Sequence, residues 1–187
     1  MTMSDALSPP DSHALVNRPP DQAIVAATNT DEQFLRLHLM PDTKVLLPIK
    51  QVTEVITIPV GQIVPIPHMP ACVMGVYNWR GEVLWMVDLG HLGGLLPYYQ
   101  QTMRMAHTAV VLKGNDKTSM QKNQTLGLVV DRVEDVEWCD PNLIQPLPLS
   151  PITSDLEALL RGYLWQSEDA MLAVLEAEAI IAAIARL

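Results

Sequence analysis

The sequence predicts a mainly β fold of many short strands that close, or nearly close, into barrels rather than forming a parallel sheet. Three observations carry this. The run from Gly75 to Leu89 sets a compact polar turn, Asn78 to Gly81, against a strand that alternates, with Val83, Trp85 and Val87 on one face and Glu82, Leu84, Met86 and Asp88 on the other. Leu35, Leu37 and Leu39 alternate with Phe34, Arg36 and His38 before the turn Pro41-Asp42 and a second strand from Lys44 to Leu47, which makes a hairpin. Thr108 to Lys113 and Thr125 to Val130 flank the polar segment Gly114 to Gln124, which reads as a long hairpin loop.

In chain order, residues 1 to 30 carry Pro9, Pro10, Pro19 and Pro20 among small polar residues with little apolar periodicity, so burial there cannot offset the entropy of ordering. This segment reads as a tail, and the folded domain as 31 to 187. After the first hairpin comes an apolar strand from Val52 to Ile58. A proline-punctuated connection then leads to Ala71-Cys72-Val73-Met74, which predicts a short helix closed by Gly75. The alternating strand follows, then a loop with Gly90, Gly93, Gly94 and Pro97. Asp131 to Trp138 reads as a strand, and Leu159 to Gln166 and Ala170 to Leu175 as the last two, separated by Ser167-Glu168-Asp169. Ile180, Ile181, Ile184 and Leu187 lie at helical spacing, with Glu176 and Glu178 at the start and Arg186 near the end, each charge matching the helix dipole.

Composition narrows the function. The chain of 187 residues suits one ordinary domain or two small subdomains sharing a core, and its 49% hydrophobic content fits a folded body. A formal charge of -9, with only 12 Lys and Arg, argues against nucleic acid as a partner. A single Phe argues equally against a stacking platform for single strands. Two cysteines, Cys72 and Cys139, make no disulfide framework, and the first residues lack the basic start and apolar run of a signal peptide, so a cytoplasmic location is expected. Val55 to Trp79 is free of Asp, Glu, Lys and Arg, yet Pro59, Pro65, Pro67 and Pro70 would break any membrane-crossing helix there. No membrane insertion is expected.

The chemistry-bearing residues form no recognisable catalyst. His68 and Cys72 stand one helical turn apart, but zinc needs three or four ligands and no second close pair follows. The acidic stretch Asp131, Glu134, Asp135, Glu137 and Asp140 lacks the alternating ligands of a calcium loop, and its interleaving with Val133, Val136 and Trp138 reads as a solvated strand face. There is neither a Gly-x-Ser-x-Gly elbow nor a Gly-x-x-x-x-Gly-Lys loop. A small metal-dependent enzyme on a barrel is the alternative, with His68, Cys72 and Asp88 as its candidates. Met69, Met74, Met86, Met103, Met105, Met120 and Met171 could line an adaptable groove or simply fill a core. Glu54 in an apolar strand and Arg80 on a tight corner either point separately to water or meet.

The order of motifs resembles the CheW-like family, the adaptors that couple chemoreceptors to the histidine kinase CheA. The resemblance rests on Phe34-Leu-Arg-Leu, Lys50-Gln-Val-Thr-Glu-Val, Ile63-Val-Pro65 with Pro70, Met74-Gly-Val-Tyr-Asn-Trp-Arg-Gly81, Val87-Asp-Leu, Leu126-Gly-Leu-Val-Val-Asp-Arg-Val133 and Arg161-Gly-Tyr. It covers about residues 31 to 187 and implies two small five-stranded barrel-like subdomains packed around a shared apolar core. It implies a non-catalytic adaptor without cofactor or metal, recruited to membrane receptor arrays. Its implied partners are a methyl-accepting chemoreceptor-type protein and the regulatory domain of a CheA-type kinase. By motif position, Val52, Glu54, Gly75, Arg80, Val83, Gly127 and Val136 would line the receptor-facing groove, with Glu54 paired to Arg80. Trp79 stands where the family usually has Leu, Trp85 where it commonly has Pro, and Gly90 where Arg is frequent. These features resemble the branch in pilus-driven motility and phototaxis more than the flagellar one.

Overall fold

Strands apolar on both faces need cover on both sides, and this chain supplies it by folding two sheets against each other. The computed structural model describes residues 31–98, 105–114, 125–146, 153–167 and 170–187. The expected tail, most of the 114–124 loop, the Glu168-Asp169 turn, Met103 and Met120 lie outside them.

Among the described residues, ten strands form two five-stranded sheets. The first contains β1 (Glu32–Leu39), β2 (Thr43–Pro48), β8 (Arg132–Cys139), β9 (Leu160–Ser167) and β10 (Ala170–Leu175), in the order β8-β1-β2-β10-β9. The second contains β3 (Val52–Pro59), β4 (Val73–Trp79), β5 (Glu82–Asp88), β6 (Ala106–Lys113) and β7 (Thr125–Val130), in the order β3-β6-β7-β5-β4. The second sheet is thus inserted in the chain between β2 and β8. Each sheet has one parallel pair, β2 with β10 and β5 with β7, at the same place in the order, so the two share one pattern of strand directions.

Both sheets close in the same way. Past β3, Val64 exchanges two backbone hydrogen bonds with Val76 of β4, at 2.8 and 2.9 Å; past β8, Gln145 does the same with Tyr163 of β9, at 2.9 and 2.8 Å. A glycine precedes the bridged residue each time, Gly75 at φ 137° and Gly162 at φ 157°. A Cβ on Gly75 would lie 2.1 Å from the Val64 carbonyl oxygen, and one on Gly162 would lie 2.8 Å from that of Gln145. Each glycine follows a break in strand register, between Val73 and Gly75 and between Leu160 and Gly162, so a bulge and a bare backbone together let the edge strands meet. The expected barrel-like subdomains are these two curled sheets.

Side-chain alternation divides the interior into three. Leu35, Leu37, Val45, Leu47, Val110, Leu112, Leu128, Val130, Ala173 and Leu175 face a core shared by both sheets. Ile58, Leu84, Met86, Ala109, Val111 and Val129 fill the second barrel, and Phe34, Leu46, Leu164, Leu172 and Val174 fill the first. The continuous apolar runs in β2, β6, β7 and β10 follow from this, since one face serves a barrel and the other the shared core.

The C-terminal helix is α3 (Ala177–Ile184), which sends Ala177 and Ile180 into the shared core. The expected helix at 71–74 is not formed: a turn held by the Val73 N–H to Pro70 carbonyl bond leads straight into β4. The β-branched Val73 and Val76 and the aromatic Tyr77 and Trp79 favour a pleated surface, and Val73 pairs with Val87. Gly75 therefore serves barrel closure, not a helix cap. Two single-turn helices complete the described elements, α1 (Leu89–Leu92), capped by Asp88 where a loop was expected, and α2 (Ser154–Glu157), capped by Thr153 in a stretch with no expectation from sequence.

The acidic stretch is not uniformly solvated. Asp131, at the crossing from β7 to β8, is buried, with an oxygen 2.9 Å from His38 Nδ1 and its N–H donating to the His38 carbonyl at 3.1 Å. Glu137 is held by Arg36 of β1.

Candidate functional site

The β4–β5 hairpin turns through only Arg80 and Gly81, between the facing residues Trp79 and Glu82. Both turn residues have positive φ, 55° and 86°, the geometry whose twist matches a two-residue hairpin. Asn78 supports it by accepting the Gly81 N–H through Oδ1 at 3.0 Å. An arginine in the left-handed region is uncommon and costs about 1–2 kcal/mol, so something must hold it there.

Glu54 does. Arg80 Nη2 donates to Glu54 Oε2 at 2.6 Å, and the Trp79 indole N–H donates to the other carboxylate oxygen. The guanidinium carbon also sits 5.2 Å from the Trp79 ring centroid, a cation–π distance. Glu54 is on edge strand β3 and Trp79 ends edge strand β4, so this triad joins the two margins of the curled sheet at one rim. Trp79 has no place in the motif-based residue set, and the indole in the usual Leu position was the signal that could have found it.

Beside the rim, the outer face of β5 presents Val83, 68% exposed, and Trp85, 37% exposed, while Leu84 and Met86 are fully buried on the inner face. Val83 and Trp85 border an apolar groove of about 400 Å³ that is also lined by Ile184, at the end of α3, and by Ala185 and Leu187 just past it. The groove thus depends on where α3 ends.

The other expected residues are placed differently. Val52 packs part-buried against the shared core. Gly75 is buried beneath the Val64 bridge, and a Cβ on Gly127 would lie 2.6 Å from Met86 Sδ, inside the second barrel. Val136 lies on β8, in the other sheet, half-exposed opposite Leu35. Glu54, Arg80 and Val83 therefore gather at one rim, Gly75 and Gly127 shape the barrel beneath, and Val136 stands apart on the neighbouring sheet.

A second ionic cluster sits where α3 begins. Glu32 accepts from Lys50 at 2.9 Å and from Arg161 at 3.1 Å. Burial, the largest influence on it, would raise its pKa, but these two cations hold the carboxyl below its ordinary value. Glu176 hydrogen-bonds Glu178, and this bond, with burial and the Glu178 charge, pushes its pKa up to about 7. Glu178 is correspondingly lowered, first by that hydrogen bond, and also accepts from the Gln51 amide.

Among the described residues no three His, Cys, Asp or Glu side chains are grouped to hold a metal ion. Nor, among them, is any helix long and apolar enough to cross a membrane.

Known proteins are similar to this chain. A probable chemotaxis protein CheW of Rhizobium etli is 33% identical over 114 residues, 61% of this chain and 66% of that protein. The chemotaxis protein CheW of Rhizobium meliloti is 35% identical over 117 residues, 62% and 67% of the two chains. The matched stretch thus spans about two thirds of each relative's length. Protein FrzA of Myxococcus xanthus is 34% identical over 70 residues, 37% of this chain and 42% of that one. The crystal structure of the scaffolding protein TtCheW from Thermoanaerobacter tengcongensis superposes with a TM-score of 0.62 at 23% identity, covering 78% of this chain and 89% of that one, and so shares the fold. The CheW-like domain family model matches residues 33–185, which takes in both sheets and α3, and the chain belongs to that family.

Proposed function

We propose that this protein is a non-catalytic adaptor that couples a chemoreceptor-type sensor to a CheA-type histidine kinase in a chemotaxis or motility pathway. The carrying observation is the rim itself: a strained, exposed Arg80 fixed by Glu54 and Trp79, next to the solvent-facing Val83 and Trp85 and an open apolar groove. Fixed charge beside exposed apolar surface suits recognition of another protein, since buried aromatic and arginine contacts carry most of the energy in such interfaces. Family membership and the chemotaxis and FrzA relatives support the same reading.

In this account the rim takes the tip of a receptor's helical hairpin, with Glu54, Arg80 and Val83 in contact and Val52, Gly75 and Gly127 setting the barrel shape behind them. Val136, on the other sheet, stands apart from this rim and takes no part in the contact in this account. The kinase regulatory domain docks elsewhere, and the signal passes through geometry with no covalent step. The protein works in the cytoplasm and reaches membrane receptor arrays through its partners. The likeness to FrzA and the Trp79 and Trp85 positions support a motility or phototaxis branch.

Titration of a receptor hairpin fragment into wild type and Arg80→Ala tests this. A loss of roughly 1–3 kcal/mol of binding, with the fold intact, is expected. Unchanged binding would overturn the rim assignment.

A further inference from the structure

Both oxygens of Glu54 are taken by donors of the chain itself, one by the Trp79 indole N–H and the other by Arg80 Nη2. The Glu54 side chain is 25% exposed and that of Arg80 68%, so the pair turns its anion inward and its cation outward. Arg80 keeps most of its planar fork of N–H donors for other use, since among the described residues Glu54 is its only acceptor. The Trp79 ring, 5.2 Å from the guanidinium carbon, restrains that fork from one side.

An indole N–H donates a hydrogen bond and never accepts one. Trp79 therefore places a second donor on a carboxylate that an ion pair already serves, and a side chain without an N–H would leave that oxygen open to a cation from outside. Glu82, the other exposed charge of the hairpin, alternates with Val83 and Trp85 along β5 and so stands on the opposite face. The corner that adjoins the apolar Val83 and Trp85 is thus positive outward, in a chain whose formal charge is -9. A planar fork of donors held in one orientation matches a carboxylate, which can accept two parallel bonds from it. We propose that Trp79 sets the specificity of the rim: by closing Glu54 to outside cations it makes the corner a donor site, which takes a partner segment presenting a carboxylate beside apolar side chains and rejects one presenting Lys or Arg there. An incoming ammonium meets the guanidinium before it meets Glu54, and like charges facing each other discriminate against the wrong partner. The inference deepens the docking reading, on which it rests only for the identity of the partner.

NMR of the full chain with small ions tests the polarity without any partner. Acetate and methylammonium are titrated at constant ionic strength while the Arg80 Nε–H and the Glu54 carboxyl carbon are followed. In wild type, acetate should shift the Arg80 signal saturably and methylammonium should leave the Glu54 carbon in place. Trp79→Phe keeps a ring beside the guanidinium but withholds the N–H, and there methylammonium should move the Glu54 carbon. A wild-type Glu54 carbon that responds to methylammonium as the variant does, or an Arg80 signal indifferent to acetate, would overturn the proposal. Receptor hairpin fragments carrying Glu or Lys at the apex then read the consequence: wild type should prefer the Glu form by about tenfold, and Trp79→Phe should narrow this to about threefold or less. If the ions behave as expected but wild type binds both fragments equally, the polarity of the corner stands and the assignment of the rim to receptor contact falls.

Discussion

Glu54 and Arg80 stand at opposite margins of one five-stranded sheet in strand order, yet their side chains meet at 2.6 Å because the sheet curls until β3 and the end of β4 are neighbours. The pair is at once a latch on the barrel rim and a presented charge, with the Arg80 side chain 68% exposed and that of Glu54 25%. These two roles can be separated by substitution.

Arg80→Gly removes the ion pair but also the left-handed strain. The first is worth about 0.2–1 kcal/mol at an exposed site and the second about 1–2 kcal/mol, so the urea midpoint should stay within error or rise slightly. Arg80→Ala keeps the strain and should lower stability by up to about 1 kcal/mol. Both should weaken receptor-fragment binding alike. If binding instead tracked stability across the two variants, the exposed guanidinium would have no role of its own.

The twin closures make a second prediction. Gly75→Ala and Gly162→Ala each drive a methyl into a backbone carbonyl at positive φ, at a cost of about 2–4 kcal/mol from crowding and strain together. Gly61→Ala, where a Cβ meets nothing within 4 Å, should be neutral or stabilising by up to about 1 kcal/mol. Chemical denaturation of the three variants decides; equal midpoints for Gly61→Ala and Gly75→Ala would contradict the closure argument.

Neighbouring residues of β5 should behave oppositely. Leu84→Ala opens a cavity inside the second barrel and should cost about 2–5 kcal/mol, whereas Val83→Asp on the outer face should change stability by less than about 0.5 kcal/mol and reduce partner binding. Circular dichroism melts beside binding titrations read both effects.

Stability should depend on pH through Glu176. Its native pKa of about 7 lies above the ordinary 4.5, so the folded state holds a proton that the unfolded chain has released. That contribution is full below about 4.5, declines through the interval and is lost as pH rises through 7. The lowered Glu178 works in the other direction, its contribution being lost as pH falls, so the decline above pH 6 is the cleaner signal. Melting temperature followed from about pH 6 to 8 should fall in wild type and stay level in Glu176→Gln. A level wild-type profile would count against the shared proton.

Much of this fold could be read from residue order. Alternation placed β1 and β5, and unbroken apolar runs placed β2, β6, β7 and β10, because those strands are covered on both faces. The start of β4 reads as helix in sequence because Gly75 resembles a helix terminator, while in space it answers to Val64, eleven residues earlier and on another strand's extension. The capped single turns at Asp88 and Thr153 escaped notice because four residues carry no period. Pairing of Glu54 with Arg80 came from likeness to a family; no local rule links positions on strands so far apart in sequence. The part played by Trp79, and the placing of Val136 on the other sheet, arise only in the folded chain, where strands distant in sequence become neighbours.

The most direct measurement reconstitutes receptor, kinase and this protein, and follows kinase autophosphorylation with and without receptor stimulus. Wild type should make the kinase respond to the receptor, while Arg80→Gly, as stable as wild type, should bind the kinase and leave it unresponsive. Full receptor control with Arg80→Gly, or no dependence on this protein at all, would contradict the account.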